Sequence, residues 1–176
     1  MPPKPYANAE PLIQKIADWA AAKPLQRIYT QKGGWEGYAQ VELAMYLQDQ
    51  LGGDPTREVQ VYKDGELADI LYTPLNEPGY FIELKCQSLL QDSDNLDSFA
   101  NRILSDMIKC DPALTARAAG YENMPALAIG IGVDAAGVDR AIELFSNPVF
   151  AYASKTYWTR AHDNNANPTV FFAVFA

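Results

Sequence analysis

Three charged residues near the middle of the chain have types and spacing suited to hydrolytic chemistry: Asp69 within ELADIL, and Glu83 with Lys85 within FIELKC. On an extended strand side chains alternate, so Glu83 and Lys85 share one face while Ile82, Leu84 and Cys86 take the other. The midpoint between Asp69 and Glu83 is Asn76, inside the stretch Pro74 to Gly79. A hairpin closed there sets Asp69 beside Glu83 and brings two carboxylates and one ammonium onto one patch. Neighbouring carboxylates repel unless one is protonated or a cation lies between them. Carboxylate oxygens without Cys or His favour Mg²⁺ or Mn²⁺ over zinc. A metal held this way binds a phosphate oxygen, stabilises transition-state charge and acidifies a bound water, while the lysine polarises that water. Those are the requirements of phosphodiester hydrolysis. The same spacing also suits the solvated face of an amphipathic strand. Leu67, Leu71 and Phe81 beside the charges argue against open solvent, and charges withdrawn from water must be paired or bind metal.

The elements that position these residues can be read from periodicity. Leu12, Ile13, Ile16, Ala17 and Ala20 fall at helical spacing between Asn8 and Lys23. A second helix follows Gly33-Gly34 and runs to Gly52-Gly53; apolar residues occupy much of its circumference, so it must pack deep against a sheet. After Asp54-Pro55 the period changes to two: TREVQVY, an Asp64-Gly65 turn, ELADILYT and YFIELKC predict a three-stranded antiparallel meander. Helical spacing returns from Asp97 to Cys110, with Arg102, Asp106 and Lys109 on the polar side, expected to face solvent. PALAIGIGVD reads as a buried strand, Ala135 to Phe145 as a helix, and Lys155 to Ala161 and Thr169 to Phe175 as two late strands. One α/β domain over residues 1–176 accounts for this order.

Composition bounds the function. Hydrophobic residues at 48% and charged residues at 20% describe a globular chain, and no apolar run is long enough to span a bilayer. With no readable export signal, a cytoplasmic location and no membrane partner are expected. A net charge of −8 excludes a broad basic surface, so any contact with nucleic acid must come from a local site. Cys86, Cys110 and the lone His162 cannot make a four-ligand Cys/His zinc site, and the cysteines are expected as buried thiols. His162, in the polar loop HDNNANP, reads as a surface residue. Trp19, Trp35 and Trp158 read as packing residues, and GIGVDAAG lacks the ending of a phosphate loop.

The succession of a helix bearing an acid, a meander with Asp on its second strand and Glu-x-Lys on its third, then a helix and a strand resembles the PD-(D/E)XK nuclease superfamily. The residues that carry it are Glu36 in GGWEGYAQVEL, Asp69 in ELADIL, and Glu83 with Lys85 in FIELKCQ, over a core of about residues 33–133. The resemblance implies a restriction-endonuclease-like fold: a mixed central sheet in the order α-β-β-β-α-β, flanked by helices, with the C-terminal strands added. It implies a Mg²⁺- or Mn²⁺-dependent nuclease, in the first place a DNA endonuclease. Asp69 and Glu83 would ligate metal with help from the Leu84 carbonyl, and Lys85 would act on the attacking water. Glu36 would complete a second metal site or position water; Glu42, six residues on, projects from a different side of the helix. Gln87 continues the Glu83 and Lys85 face, where it would touch the scissile phosphate or a metal-bound water. Lys109 and Arg102 would approach the nucleic-acid backbone. Ala68 stands where the family pattern has proline. The acidic charge suits a homodimer or a protein partner that delivers the substrate. It also suits the alternative of a catalytically silent nuclease fold used as a binding module in a restriction, defence or toxin–immunity system.

Overall fold

The computed structural model describes residues 6–32, 34–75, 79–161 and 168–176. Leu12, Ile13, Ile16, Ala17, Trp19 and Ala20 turn inward from helix α1 (Glu10–Ala22), with Pro11 in its first turn, where a backbone N–H has no intrahelical acceptor to lose. After it come the single turn α2 (Leu25–Ile28) and the long α3 (Glu36–Leu51), which ends at Gly52 and Gly53, both at positive φ. The meander follows as β1 (Asp54–Gln60), β2 (Leu67–Thr73) and β3 (Tyr80–Cys86). The chain then passes through the short α4 (Leu89–Asp92) and through α5 (Asp97–Cys110) to β4 (Ala126–Gly132). The last elements are α6 (Ala135–Ser146), β5 (Tyr157–Arg160) and β6 (Thr169–Phe175). α2 and α4 were not legible in the sequence, because one turn is too short to show a period.

The six strands form one mixed sheet in the order β1-β2-β3-β4-β6-β5. β3 and β4 are parallel, and all other neighbours are antiparallel. A parallel pair needs a crossover, and α4 and α5 supply it, which fixes α5 across the face of β3 and β4. Every residue of β4 is buried, as its unbroken apolar run requires. One core layer lies between α1, α3 and the sheet face carrying Ile82, Leu84, Ile129 and Phe172; the other lies between α5, α6 and the face carrying Phe81, Ala128 and Phe171. No helix among the described residues is long and apolar enough to cross a membrane. Cys86 and Cys110 are free and buried.

The first hairpin departs from the expected tight Asp-Gly turn. Its ladder stops at Gln60 opposite Leu67, and Val61 and Tyr62 leave it to pair with residues 116–118 through Lys63 N–H to Ala116 O, Ala118 N–H to Val61 O and a Tyr62–Arg117 bridge. Arg117 anchors that segment: its guanidinium donates to the Cys110 and Met124 carbonyls and lies over the Phe81 ring. The diversion buries Tyr62 completely beneath the sheet.

The register puts Ile70 opposite Ile82, so the same alignment carried one step further sets Asp69 against Glu83, as expected. The β2–β3 ladder ends at that point while β1–β2 continues to Leu67. A change of face accompanies the separation. Ile70 packs with α1 and α3, whereas Ala68, two residues earlier, packs with α5 and α6. On β1, Glu58 takes φ 54°, a left-handed conformation uncommon for any residue with a Cβ. Beyond Ile70 the strands splay, and groups from both sides of the sheet can meet in the opening.

Candidate metal centre

Asp69 lies where the ladder fails and takes over part of its bonding. Its Oδ2 accepts the Leu84 N–H at 2.7 Å, a donor that the register would otherwise hand to the Ala68 carbonyl. Its Oδ1 accepts from Gln40 Nε2 at 2.8 Å, and Gln40 is itself held by Arg57 at 2.9 Å. The side chain is therefore fixed from α3, β1 and β3 at once.

Glu83 is 1% exposed, on the α5 side of β3. Tyr62 donates its hydroxyl to Oε1 at 2.6 Å, and Lys109 donates to Oε2 at 3.2 Å while also reaching the Leu67 carbonyl at 2.8 Å. The diversion of Tyr62 out of the first hairpin thus supplies a hydrogen bond to a buried carboxylate that would be costly without one.

Asp106 of α5 completes the group. Carboxylate oxygens of Asp69, Glu83 and Asp106 lie within 4.8 Å of one another. Asp106 is 6% exposed, and its Oδ2 has Lys85 Nζ at 3.4 Å but no donor in hydrogen-bonding geometry. Lys85 Nζ also meets Glu36 Oε1 at 3.0 Å and the Leu84 carbonyl at 3.4 Å, so it bridges the trio and the helix acid. Glu36 Oε2 accepts the Cys86 N–H at 3.2 Å and has Arg102 at 3.6 Å.

The electrostatics follow from this crowding. Burial pushes the Glu83 carboxyl up to about 7, against the opposing effects of the Tyr62 hydrogen bond and Lys109. Burial raises Asp106 to about 6, with Lys85 opposing and Asp69 and Glu36 adding. Asp69 is raised as well, by burial outweighing the Leu84 N–H and Lys85. Burial pulls the Lys85 ammonium down, but Asp106, Glu36 and Asp69 outweigh it and hold its pKa above the ordinary value. Lys85 is thus a fixed cation at neutral pH and can polarise a neighbouring group without taking its proton. Burial drives the Tyr62 phenol upward too, so it stays an O–H donor.

Asp69, Glu83 and Lys85 therefore converge as expected, and Glu36 joins them through Lys85; Glu42 instead pairs with Lys23. Other expectations are corrected. Gln87 does not continue the charged face into the site: its Oε1 accepts the N–H groups of Val133 and Asp134 at 2.7 and 2.8 Å, fastening the end of β3 to the start of α6. The side of α5 that carries Arg102, Asp106 and Lys109 is not an open solvated face, since Asp106 is buried and the two cations are only partly exposed. Lys109 is engaged with Glu83, and Arg102 donates to the Cys86 carbonyl at 2.7 Å and to Asp92 at 3.0 Å, so neither is presented as a free backbone contact. Asp106 belongs to the site although it read as a surface residue. The signal was there, since Arg102, Asp106 and Lys109 at i, i+4 and i+7 line one face. Trp35 is buried and donates to the Gln87 carbonyl, whereas Trp158 on the edge strand β5 is 38% exposed. His162 lies outside the described residues.

Fold and site together define an α/β protein with an open mixed sheet and a buried acidic cluster where two strands part. No protein-family model, no curated protein and no solved structure matches the chain.

Proposed function

We propose that this chain is a divalent-metal-dependent nuclease with a restriction-endonuclease-like fold, hydrolysing phosphodiester bonds in DNA. The observation that carries the reading is the meeting of three carboxylates, buried Glu83 and Asp106 and half-buried Asp69, from β3, α5 and β2 beside a lysine held protonated. The donor set fits a hard cation. Every ligand atom that the trio offers is a carboxylate oxygen, and the buried Asp106 Oδ2 lacks a donor.

Asp69, Glu83 and Asp106 would hold the ion. Mg²⁺ or Mn²⁺ bound there supplies a Lewis acid for a phosphate oxygen and lowers the pKa of a bound water. The chain's own groups do the rest. Gln40, Arg57 and the Leu84 N–H fix Asp69, and Tyr62 and Lys109 fix Glu83, so the site is organised before substrate arrives. Lys85 carries a positive charge to the edge of the trio, where it stabilises negative charge developing on a phosphoryl group. Glu36 and its backbone bond to Cys86 keep that ammonium in place.

The binding-module reading has one observation of its own: Lys85 and Lys109 already meet acids of the cluster. Two measurements separate the readings. Purified protein is assayed on supercoiled plasmid and single-stranded DNA with Mg²⁺ or Mn²⁺, beside Glu83→Ala and Lys85→Ala, and metal binding is followed by calorimetry. Metal-dependent cleavage lost in both variants supports the nuclease. Neither cleavage nor binding at millimolar Mg²⁺ leaves the silent module.

A further inference from the structure

Beside the acidic cluster lies a small pocket of about 130 Å³ whose walls include Gly34, Glu36, Gly37, Ser88 and Arg102. We propose that it is a phosphate subsite, binding a phosphate group of the nucleic-acid strand next to the metal centre; the choice of strand rests on the nuclease reading, the affinity for phosphate does not.

Four features converge on it. The pocket lies at the N-terminus of α3, a helix of 16 residues whose N-cap, Trp35, makes no side-chain capping bond. The first backbone N–H groups of a helix have no intrahelical acceptor and sit at the positive end of its dipole. The first i to i−4 bond here is Ala39 N–H to Trp35 O, which leaves the N–H groups of Glu36, Gly37 and Tyr38 ahead of it. Gly37 lines the pocket, and the space that a Cβ on it would enter holds no heavy atom within 4 Å.

Ser88 supplies the independent observation. It lines the pocket at 1% exposure, and its Oγ has no hydrogen-bond partner. A buried hydroxyl without a partner is costly, and a ligand oxygen in the pocket would relieve the cost. Arg102 adds a cation whose Nε is likewise buried without an acceptor, although its terminal nitrogens are engaged. The acid on the wall is neutralised: Lys85 Nζ lies 3.0 Å from Glu36 Oε1, and Arg102 3.6 Å from Oε2. Backbone N–H groups, a hydroxyl and a guanidinium around one small volume suit a tetrahedral oxyanion.

The test uses the whole chain in EDTA, so that it reads independently of metal and of cleavage. Inorganic phosphate is titrated against chloride at matched ionic strength while the amide signals of Glu36, Gly37 and Tyr38 and the Arg102 Nε–H signal are followed by ¹⁵N NMR. Saturable shifts confined to these groups are expected, and Gly37→Leu, which adds a bulky side chain at a pocket-lining position, should weaken binding about tenfold or more. The proposal is overturned by no saturable shift at these signals, or by equal affinity in a folded Gly37→Leu protein. Should Gly37→Leu not fold, Ser88→Ala with the wild-type shift map decides by the same criteria. A 5′-phosphorylated and a 5′-hydroxyl oligonucleotide form the second arm. Shifts with the phosphorylated strand alone assign the pocket to a strand end, and equal shifts with both assign it to an internal phosphodiester. Phosphate binding without any shift from either strand overturns the nucleic-acid assignment.

Discussion

Asp106 Oδ2 of α5 lies 3.4 Å from Lys85 Nζ of β3, close enough for charge attraction yet outside hydrogen-bonding geometry. A carboxylate oxygen left in that state is available to a cation, and the cost of burying it falls on the protein until one arrives. Asp106→Asn should therefore separate stability from function. Removing a buried charge whose pKa is already raised should leave the thermal midpoint in EDTA unchanged or higher. Mg²⁺ affinity should fall by about tenfold or more, and cleavage with it. Calorimetry with Mg²⁺ checks this, and wild-type affinity in the variant would remove Asp106 from the ligand set.

Stability should depend on pH in a direction set by the same burial. Glu83 is raised from 4.5 to about 7 and Asp106 from 3.8 to about 6. A carboxyl raised in the folded state contributes stability that is full below its unfolded pKa and is lost as pH rises through the folded one. Each unit is worth about 1.4 kcal/mol, so Glu83 alone accounts for on the order of 3 kcal/mol. In EDTA the wild type should lose midpoint relative to Glu83→Gln between about pH 4.5 and pH 7, and Mg²⁺ should restore most of it at pH 8. Scanning calorimetry of both proteins across that range is the check. A wild-type midpoint that rises relative to the variant over the same interval would reverse the argument.

Tyr62→Phe removes one hydroxyl and leaves Glu83 Oε1 without its 2.6 Å donor. An unsatisfied buried acceptor costs about 1–3 kcal/mol, which for a chain of this size is a fall of several degrees in midpoint. The Tyr62 bond also lowers the Glu83 pKa, so its loss should move the pH-dependent window upward. Titration of the Glu83 carboxyl by ¹³C NMR in Tyr62→Phe and wild type separates the two effects; an unmoved titration would show that the hydroxyl contributes packing alone.

The sequence carried the strand register because it depends on local quantities. Alternation set the faces of Glu83 and Lys85, and the loop between β2 and β3 set the pairing that brings Asp69 to Glu83. The break in the ladder beyond Ile70 was not legible, since it needs Asp69 to replace a backbone acceptor and Glu58 to take a left-handed conformation. Asp106 was missed for a different reason. Polar residues on an amphipathic helix face water by default, and only the parallel pairing of β3 and β4 places the polar side of α5 over the splayed strands. Gln87 failed in the opposite sense: alternation does put it on the α5–α6 side with Glu83 and Lys85, but there its carboxamide lies against Gly137 of α6 and is taken up by the Val133 and Asp134 N–H groups instead of reaching the cluster.

Gln87 and Lys85, two residues apart, should therefore respond to alanine in opposite ways. Gln87→Ala leaves the N–H groups of Val133 and Asp134 without their acceptor at the junction of β3, β4 and α6. Two orphaned donors there should cost about 2–4 kcal/mol, with cleavage falling only as far as the folded fraction falls. Lys85→Ala leaves Glu36 with the Cys86 N–H and Arg102, and Asp106, relieved of the ammonium that lowers its pKa, can hold a proton in place of a buried charge, so most of the fold is undisturbed. On the proposed nuclease reading the loss of that ammonium should appear in the rate, by about a hundredfold or more, because a fixed charge beside a phosphoryl group acts mainly in the transition state. Urea unfolding and single-turnover cleavage measured on both variants test the contrast. Gln87→Ala protein that is as stable as wild type but slow would return Gln87 to the reaction and would mean that its carboxamide leaves the β3–α6 junction when substrate binds.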